Sequence, residues 1–209
     1  KPAAGTCPVR GHSNVQGDRT VGIWEKLKPE FAQKLKAHFH FDPPTEEGYN
    51  TMHAIEAMAK GKAKFFLGMG GNFVSATPDT EYTAKGLQQC DMTVQISTKL
   101  NRSHVMHGKT ALILPCLGRT ELDVQASGTQ FVTVENSTGV VHQSQGGKDP
   151  VSEHLLSEPK IVVELAKATL GADTTVDWDA MAANYDNIRD AIEHTVDGFG
   201  EYNQRVRKP

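Results

Sequence analysis

Lys62-Ala63-Lys64-Phe65-Phe66-Leu67-Gly68-Met69 runs without a break into Gly70-Gly71-Asn72, and this stretch decides the fold. Its first part is a short, largely apolar run of the kind that forms a strand buried on both faces of a parallel sheet. The paired glycines then specify a tight turn. Thr77-Pro78-Asp79 follows as an N-cap with Pro and an acid in the first turn, so a helix is expected to open there and run to about Gln89. Met92-Thr93-Val94-Gln95-Ile96 is the next strand. Residues 63–97 thus form one strand–loop–helix–strand unit, and such a unit predicts two parallel strands ending on the same edge.

Working outward, Ala111-Leu112-Ile113-Leu114 is a third apolar run closed by Pro115, and Gln130-Phe131-Val132-Thr133-Val134 is a weaker strand suited to an edge. Upstream, Ile23, Trp24, Leu27, Phe31, Leu35 and Phe39 recur at three- and four-residue spacing, with Pro29 starting the main helix and Asp42-Pro43-Pro44 ending the element. Met52, Ile55, Met58 and Ala59 mark a second helix that stops at Gly61. Downstream, residues 136–150 read as a long polar surface loop. Ser157-Glu158-Pro159 caps a helix carrying Ile161, Val162, Leu165, Ala166 and Leu170 up to Gly171, and Tyr185, Ile188, Ile192 and Val196 mark a last helix. Alternating helices and strands give an α/β class with a small, mostly parallel sheet flanked by helices. The expected organisation is a loop over 1–22, a helical segment over 23–61, an α/β core over 62–150 and a helical extension of the same domain over 151–209.

Composition narrows the function classes. Hydrophobic residues make up 38% and charged residues 22% of the 209, which is enough for a packed core. With 22 Lys+Arg against 25 Asp+Glu the formal net charge is -3, which argues against a basic nucleic-acid-binding surface and a polybasic membrane patch. No apolar run approaches the ~20 residues of a membrane span. Cys7, Cys90 and Cys116 lie far apart and form no CxxC, so a disulfide framework, a structural zinc site or an iron–sulfur cluster held by this chain alone is not expected. A reducing compartment, the cytoplasm, is the expected location. The opening Lys1-Pro2-Ala3-Ala4-Gly5 reads as the start of a piece of a longer polypeptide.

Ligands of open α/β sheets bind at the carboxyl edge of the strands. There Gly70 and Gly71 would let backbone N–H groups approach a ligand, and Asn72 adds a group that both donates and accepts. Gln95, Ser97 and Thr98 would end the neighbouring strand beside them. The turn is neither GxGxxG nor a P-loop, so an ordinary strand-to-helix turn stands as the alternative. Asn101-Arg102-Ser103-His104 is the next loop. His104 and His107 are spaced i, i+3 without a third ligand nearby, which suits surface histidines better than a metal site. The N-terminal loop holds Arg10, His12, Asn14 and Gln16 among turn residues, a donor set for an anion or a polar cofactor. Cys7 with His12 as base would make a hydrolase, but no third residue orients that pair.

Arg10-Gly11-His12-Ser13-Asn14-Val15-Gln16-Gly17 resembles the Arg-Gly-x-x-Asn-Val-Gln-Gly segment of molybdopterin oxidoreductases, and more narrowly of formate dehydrogenase catalytic subunits. The resemblance continues in order. Residues 64–72 are similar to the family's strand ending in Met-Gly-(Glu/Gly)-Asn or Asp, and Asp91 to Gln95 to its next strand, which ends in Gln. Ala111 to Pro115 are similar to its Ala-Asp-Val-(Ile/Val)-Leu-Pro strand, with Ala111 where the family commonly has Asp. Glu135-Asn136-Ser137-Thr138-Gly139-Val140-Val141 and Phe199-Gly200-Glu201-Tyr202-Asn203 follow in the family's order.

The resemblance implies a Rossmann-like, formate dehydrogenase/DMSO reductase-like middle domain of a larger enzyme. Such enzymes hold molybdenum or tungsten between two molybdopterin guanine dinucleotides, often carry a [4Fe-4S] cluster, and exchange electrons with small substrates such as formate. It implies catalytic roles for Arg10 and for His12, which stands where formate dehydrogenases usually have Gln. It implies cofactor contacts for Asn14, Gln16, Gly70, Gly71, Asn72, Gln95, Ser97 and Thr98, no metal ligand in this chain, and the remainder of the parent chain as partner. No cofactor is expected on the isolated piece. A non-catalytic α/β module that binds a nucleotide or a partner protein is the competing expectation.

Overall fold

A computed structural model describes residues 14–208. In chain order the elements are α1 (Val15–Thr20), α2 (Pro29–Phe39), α3 (Thr51–Ala59), β1 (Phe65–Met69), α4 (Phe73–Ala76), α5 (Thr80–Gln88), β2 (Met92–Ser97), α6 (Arg102–Val105) and β3 (Thr110–Pro115). Then come β4 (Val124–Gln125), β5 (Gly128–Thr129), β6 (Val132–Glu135), β7 (Val141–Ser144), α7 (Glu158–Leu170), α8 (Trp178–Ala183), α9 (Tyr185–Thr195) and α10 (Tyr202–Arg205). The chain forms two interleaved compact units, one of Gly48–Glu121 with Lys148–Glu164, the other of the remaining described residues.

The first unit holds the α/β sheet. β1, β2 and β3 lie in that order and are all parallel, with Gly68 opposite Gln95 and Gln95 opposite Ile113. Beyond β3, a parallel bridge joins Cys116 to Leu156. Residues at one register position share a face. The face bearing Phe66 packs on a core of Ile55, Met58, Val74, Leu87 and Cys90, with Phe73, Ala63, Ala84 and Met106 around it. The α3–α5 contact closes at Gly86, where an added Cβ would sit 3.3 Å from the Ile55 carbonyl oxygen. A side chain there would force the two backbones apart by a few tenths of an ångström.

Two expectations about this unit change. β1 is not buried on both faces: Phe65, Leu67 and Met69 remain 55%, 39% and 40% exposed. Only β2 is central in a three-stranded sheet, and its Thr93, Val94, Gln95 and Ile96 are the residues that are buried. The helix expected from Thr77 opens at Thr80 instead. The Asp79 carboxylate accepts the Tyr82 N–H and is its N-cap, while the Thr77 hydroxyl bonds Val74 O and the Thr83 hydroxyl inside the core. A single extra turn, α4, stands between the glycines and α5.

The second unit is built on α1, α2, α8, α9 and α10 with two small antiparallel hairpins, β4–β5 and β6–β7. α2 starts at Pro29 as the sequence indicates and ends on His40 in the left-handed conformation. Part of the N-terminal loop is helical, as α1. The polar stretch after residue 136 is not all loop: Asn136 Oδ1 accepts from Thr138 N, Thr138 Oγ1 and Val140 N, and that turn returns the chain as β7. α9 buries Tyr185, Arg189, Ala191 and Thr195 rather than a purely apolar stripe. Arg189 donates to Asn203 Oδ1 (2.6 Å), Phe131 O (3.0 Å) and Asp186, and its guanidinium lies 3.9 Å over the Phe131 ring. Three guanidinium hydrogen bonds, one of them to a carboxylate, and an aromatic ring make burial of that charge tolerable. In α7 the Ser157 cap and the stop at Gly171 hold, but Val162 and Leu170 are exposed while Ile161 and Val163 are buried. Among the described residues no helix is long and apolar enough to cross a membrane.

Candidate functional site

The candidate site is the carboxyl edge of the β1–β2–β3 sheet. The last ladder bond of β1 runs from Gly70 N–H to Ile96 O at 2.7 Å. Gly70 and Gly71 then take φ values of +67° and +71°, a left-handed pair that side-chain-bearing residues adopt only with strain. A Cβ added at either glycine would meet nothing within 4 Å, so the turn faces open space. Asn72, at the N-cap position of α4, makes no side-chain cap bond and is exposed.

Gln95 stands opposite Gly68, two residues before this turn. A Cβ at Gly68 would be 2.9 Å from Gln95 Oε1, so the missing side chain on β1 makes room for the Gln95 carboxamide across the strand. Gln95 is 6% exposed, and its Nε2 has no hydrogen-bond partner among the described residues. A buried, unpartnered amide donor costs about 1–3 kcal/mol, which makes it a marker for a missing acceptor.

The neighbouring loop fixes the turn. Asn101 Nδ2 donates to Gly71 O (2.8 Å), Asn101 Oδ1 accepts the Ser103 N–H (2.9 Å), and Val74 N–H donates to Ser103 Oγ (3.0 Å). His104 Nδ1 accepts the Asn101 N–H (3.0 Å) and closes a capping box on α6. In that arrangement the neutral ring carries its proton on Nε2. That atom too is buried and without a partner among the described residues. Ser97 Oγ is committed to its own loop, donating to Lys99 O (2.7 Å), while Thr98 is exposed. Lys99 and Arg102 are exposed cations on this loop, while the carboxylates of the same edge are Asp79, engaged as the α5 cap, and Glu121 and Glu158, which face Cys116 beyond the end of β3. The β1–β2 side of the edge therefore offers backbone amides, neutral carboxamides and two cations, a set that suits an anionic ligand with a polar aromatic part.

Six of the sequence-derived candidates, Gly70, Gly71, Asn72, Gln95, Ser97 and Thr98, share this one edge. Asn14 and Gln16 belong to the other unit. Asn14 Oδ1 accepts the Glu135 N–H (2.8 Å), and a Cβ at Gly17 would stand 2.3 Å from that oxygen, which explains the Asn14-x-x-Gly17 spacing. Gln16 is half-buried on α1. Arg10, His12 and Cys7 lie outside the described residues. Cys90 and Cys116 are buried free thiols, and burial pushes both above the usual thiol range, so neither is an activated nucleophile. His107 Nδ1 is occupied by Gly108 O (2.7 Å), and no group of three metal-ligating side chains occurs among the described residues. Sequence reading passed over Asn101. Its signal was an Asn-x-x-His capping box, in which His replaces the usual Glu or Gln.

No family model matches the chain. It is 52% identical over all 209 residues to proteins of Mycobacterium tuberculosis and Mycobacterium bovis that carry the name uncharacterized oxidoreductase. It is 46% identical, again over its whole length, to protein YdeP of Escherichia coli. In each case the chain spans 27% of the relative's length.

Proposed function

We propose that this chain is the portion of a molybdenum- or tungsten-dependent oxidoreductase, formate dehydrogenase-like, that seats one molybdopterin guanine dinucleotide on a Rossmann-like sheet. The observation that carries this reading is the left-handed Gly70–Gly71 pair opening onto free space, directly after Gly68, whose cross-strand neighbour Gln95 is buried with no partner for its Nε2 among the described residues. The oxidoreductase names of the relatives, and the small share of them that the chain spans, support the larger-enzyme part of the reading.

The residues present fit the group. Gly70 and Gly71 would give the pyrophosphate close approach to backbone amides. Asn72, Thr98 and Gln95 would supply neutral donors and acceptors to a guanosine, and Lys99 and Arg102 positive charge. α5 would not serve as the anion-binding helix end, because Asp79 already occupies it. When bound, the cofactor supplies the metal at which electrons are exchanged with a small substrate. Arg10 would attract and orient a small anion such as formate, and His12 would hold or release a proton beside it. Any [4Fe-4S] cluster would be held by the remainder of the parent chain. The free thiols of Cys90 and Cys116 suit a reducing cytoplasm.

The test is chemical analysis of the full-length polypeptide after expression in a host that makes the cofactor. The expected result is molybdenum or tungsten together with stoichiometric GMP released by acid. A protein with neither metal nor GMP would leave only the non-catalytic α/β binding module.

A further inference from the structure

We infer that the free edge of β1 is completed by a further strand from the part of the longer polypeptide that lies outside this chain, packing beside Phe65, Leu67 and Met69. The backbone makes the first argument. Gly70 N–H bonds Ile96 O, and successive residues of a strand alternate between its two edges. Phe66, Gly68 and Gly70 therefore face β2, and Phe65, Leu67 and Met69 turn their N–H and C=O groups to the open side. Among the described residues β1 has only β2 as a neighbour in the sheet.

The side chains make the second. Phe65, Leu67 and Met69 project to one face of the sheet, and Leu67 shares its register row with Val94 and Leu112. On this face Val94 and Ile96 of β2 are buried while Phe65, Leu67 and Met69 stay exposed, so the cover of the face stops short of β1 on a sheet type that is ordinarily covered on both faces. β1 carries none of the usual protection of a solvent edge: no charge, no proline and no break in register from Phe65 to Met69. The occupant follows from length. The relatives match this chain from end to end, yet it is 27% of them, so covalently attached chain is available at high effective concentration. The inference rests on this chain being part of a longer polypeptide and not on the identity of the cofactor, so either can fail alone.

The experiment is residue-resolved hydrogen exchange on the full-length polypeptide. The Phe65, Leu67 and Met69 amides should be slowed at least about 100-fold relative to unstructured amides, in line with Phe66 and Gly68 and independent of protein concentration. Free exchange at those three amides overturns the proposal. So does protection that appears only on raising the concentration, which would point to a second copy. A substitution pair gives an independent reading in the same full-length protein. Leu67→Lys should lower soluble yield and melting temperature, whereas Val151→Lys, at an apolar residue 89% exposed and off this face, should not. Equal behaviour of the two variants also overturns it.

Discussion

Replacing Gly71 by Ala separates the two things that glycine does. Its φ of +71° costs a side-chain-bearing residue about 1–2 kcal/mol, while the space in front of it is empty, so no steric clash adds to that figure. A loss of this size raises the exchange rate of globally protected amides by about 5- to 30-fold. Hydrogen exchange at Val94 and Ile96, buried in the same unit, is the appropriate assay, because Trp24 and Trp178 both lie in the other unit and their fluorescence would not report on this sheet. The protein should thus remain folded. Its cofactor content should fall much further, because the new methyl stands where the pyrophosphate would approach. Gly68→Ala is the informative companion. Its backbone is unstrained, but its Cβ would meet both Gln95 Oε1 and the Phe66 ring at 2.9 Å, so it pushes the carboxamide away and disturbs the core ring beside it. Gly71→Ala with a stability loss in this range and undiminished metal and GMP would refute the idea that the glycine pair is a ligand cradle.

Arg189→Met in the second unit should cost about 3 kcal/mol, because Asn203 Oδ1 and Phe131 O lose a buried charged donor; chemical denaturation followed by Trp fluorescence measures it. Asn101→Ala should cost about 1 kcal/mol as a lost cap and release the Gly71 carbonyl, so cofactor retention should drop along with exchange protection around α6. His38 stacks on His194 with ring centroids 5.1 Å apart, and burial first, then the neighbouring His194 and His40, lower its pKa below the ordinary 6.5. The fold therefore favours the neutral ring. Its contribution is complete above about pH 6.5 and is lost as pH falls through the lowered folded value, so His38→Gln should flatten the pH dependence of stability in that window.

The parallel sheet, its edge residues and the starts of α2 and α7 were legible because they rest on local signals: apolar runs, paired glycines, Pro29 and Ser157. What was not legible depended on neighbours. An apolar run such as Phe65 to Met69 has the same composition whether a strand is central or at an edge, so its exposure could not be read. β7 was hidden because Val141-His142-Gln143-Ser144 has no apolar alternation; its pairing follows from the Asn136 turn. The burial of Arg189 was equally hidden, since its acceptors come from Phe131, Asp186 and Asn203, as far as 58 residues away in sequence. At the site, Gln95 could be placed by counting along a strand. Its orphaned Nε2 and the hold of Asn101 on Gly71 needed coordinates.

Density for the full-length, cofactor-loaded protein is the most direct trial of the central claim. The account predicts one continuous ligand running along the strand ends, in contact with the Gly70–Gly71 backbone and accepting from Gln95 Nε2. A nucleotide moiety seated elsewhere, with Gln95 Nε2 bonded to protein instead, would contradict it.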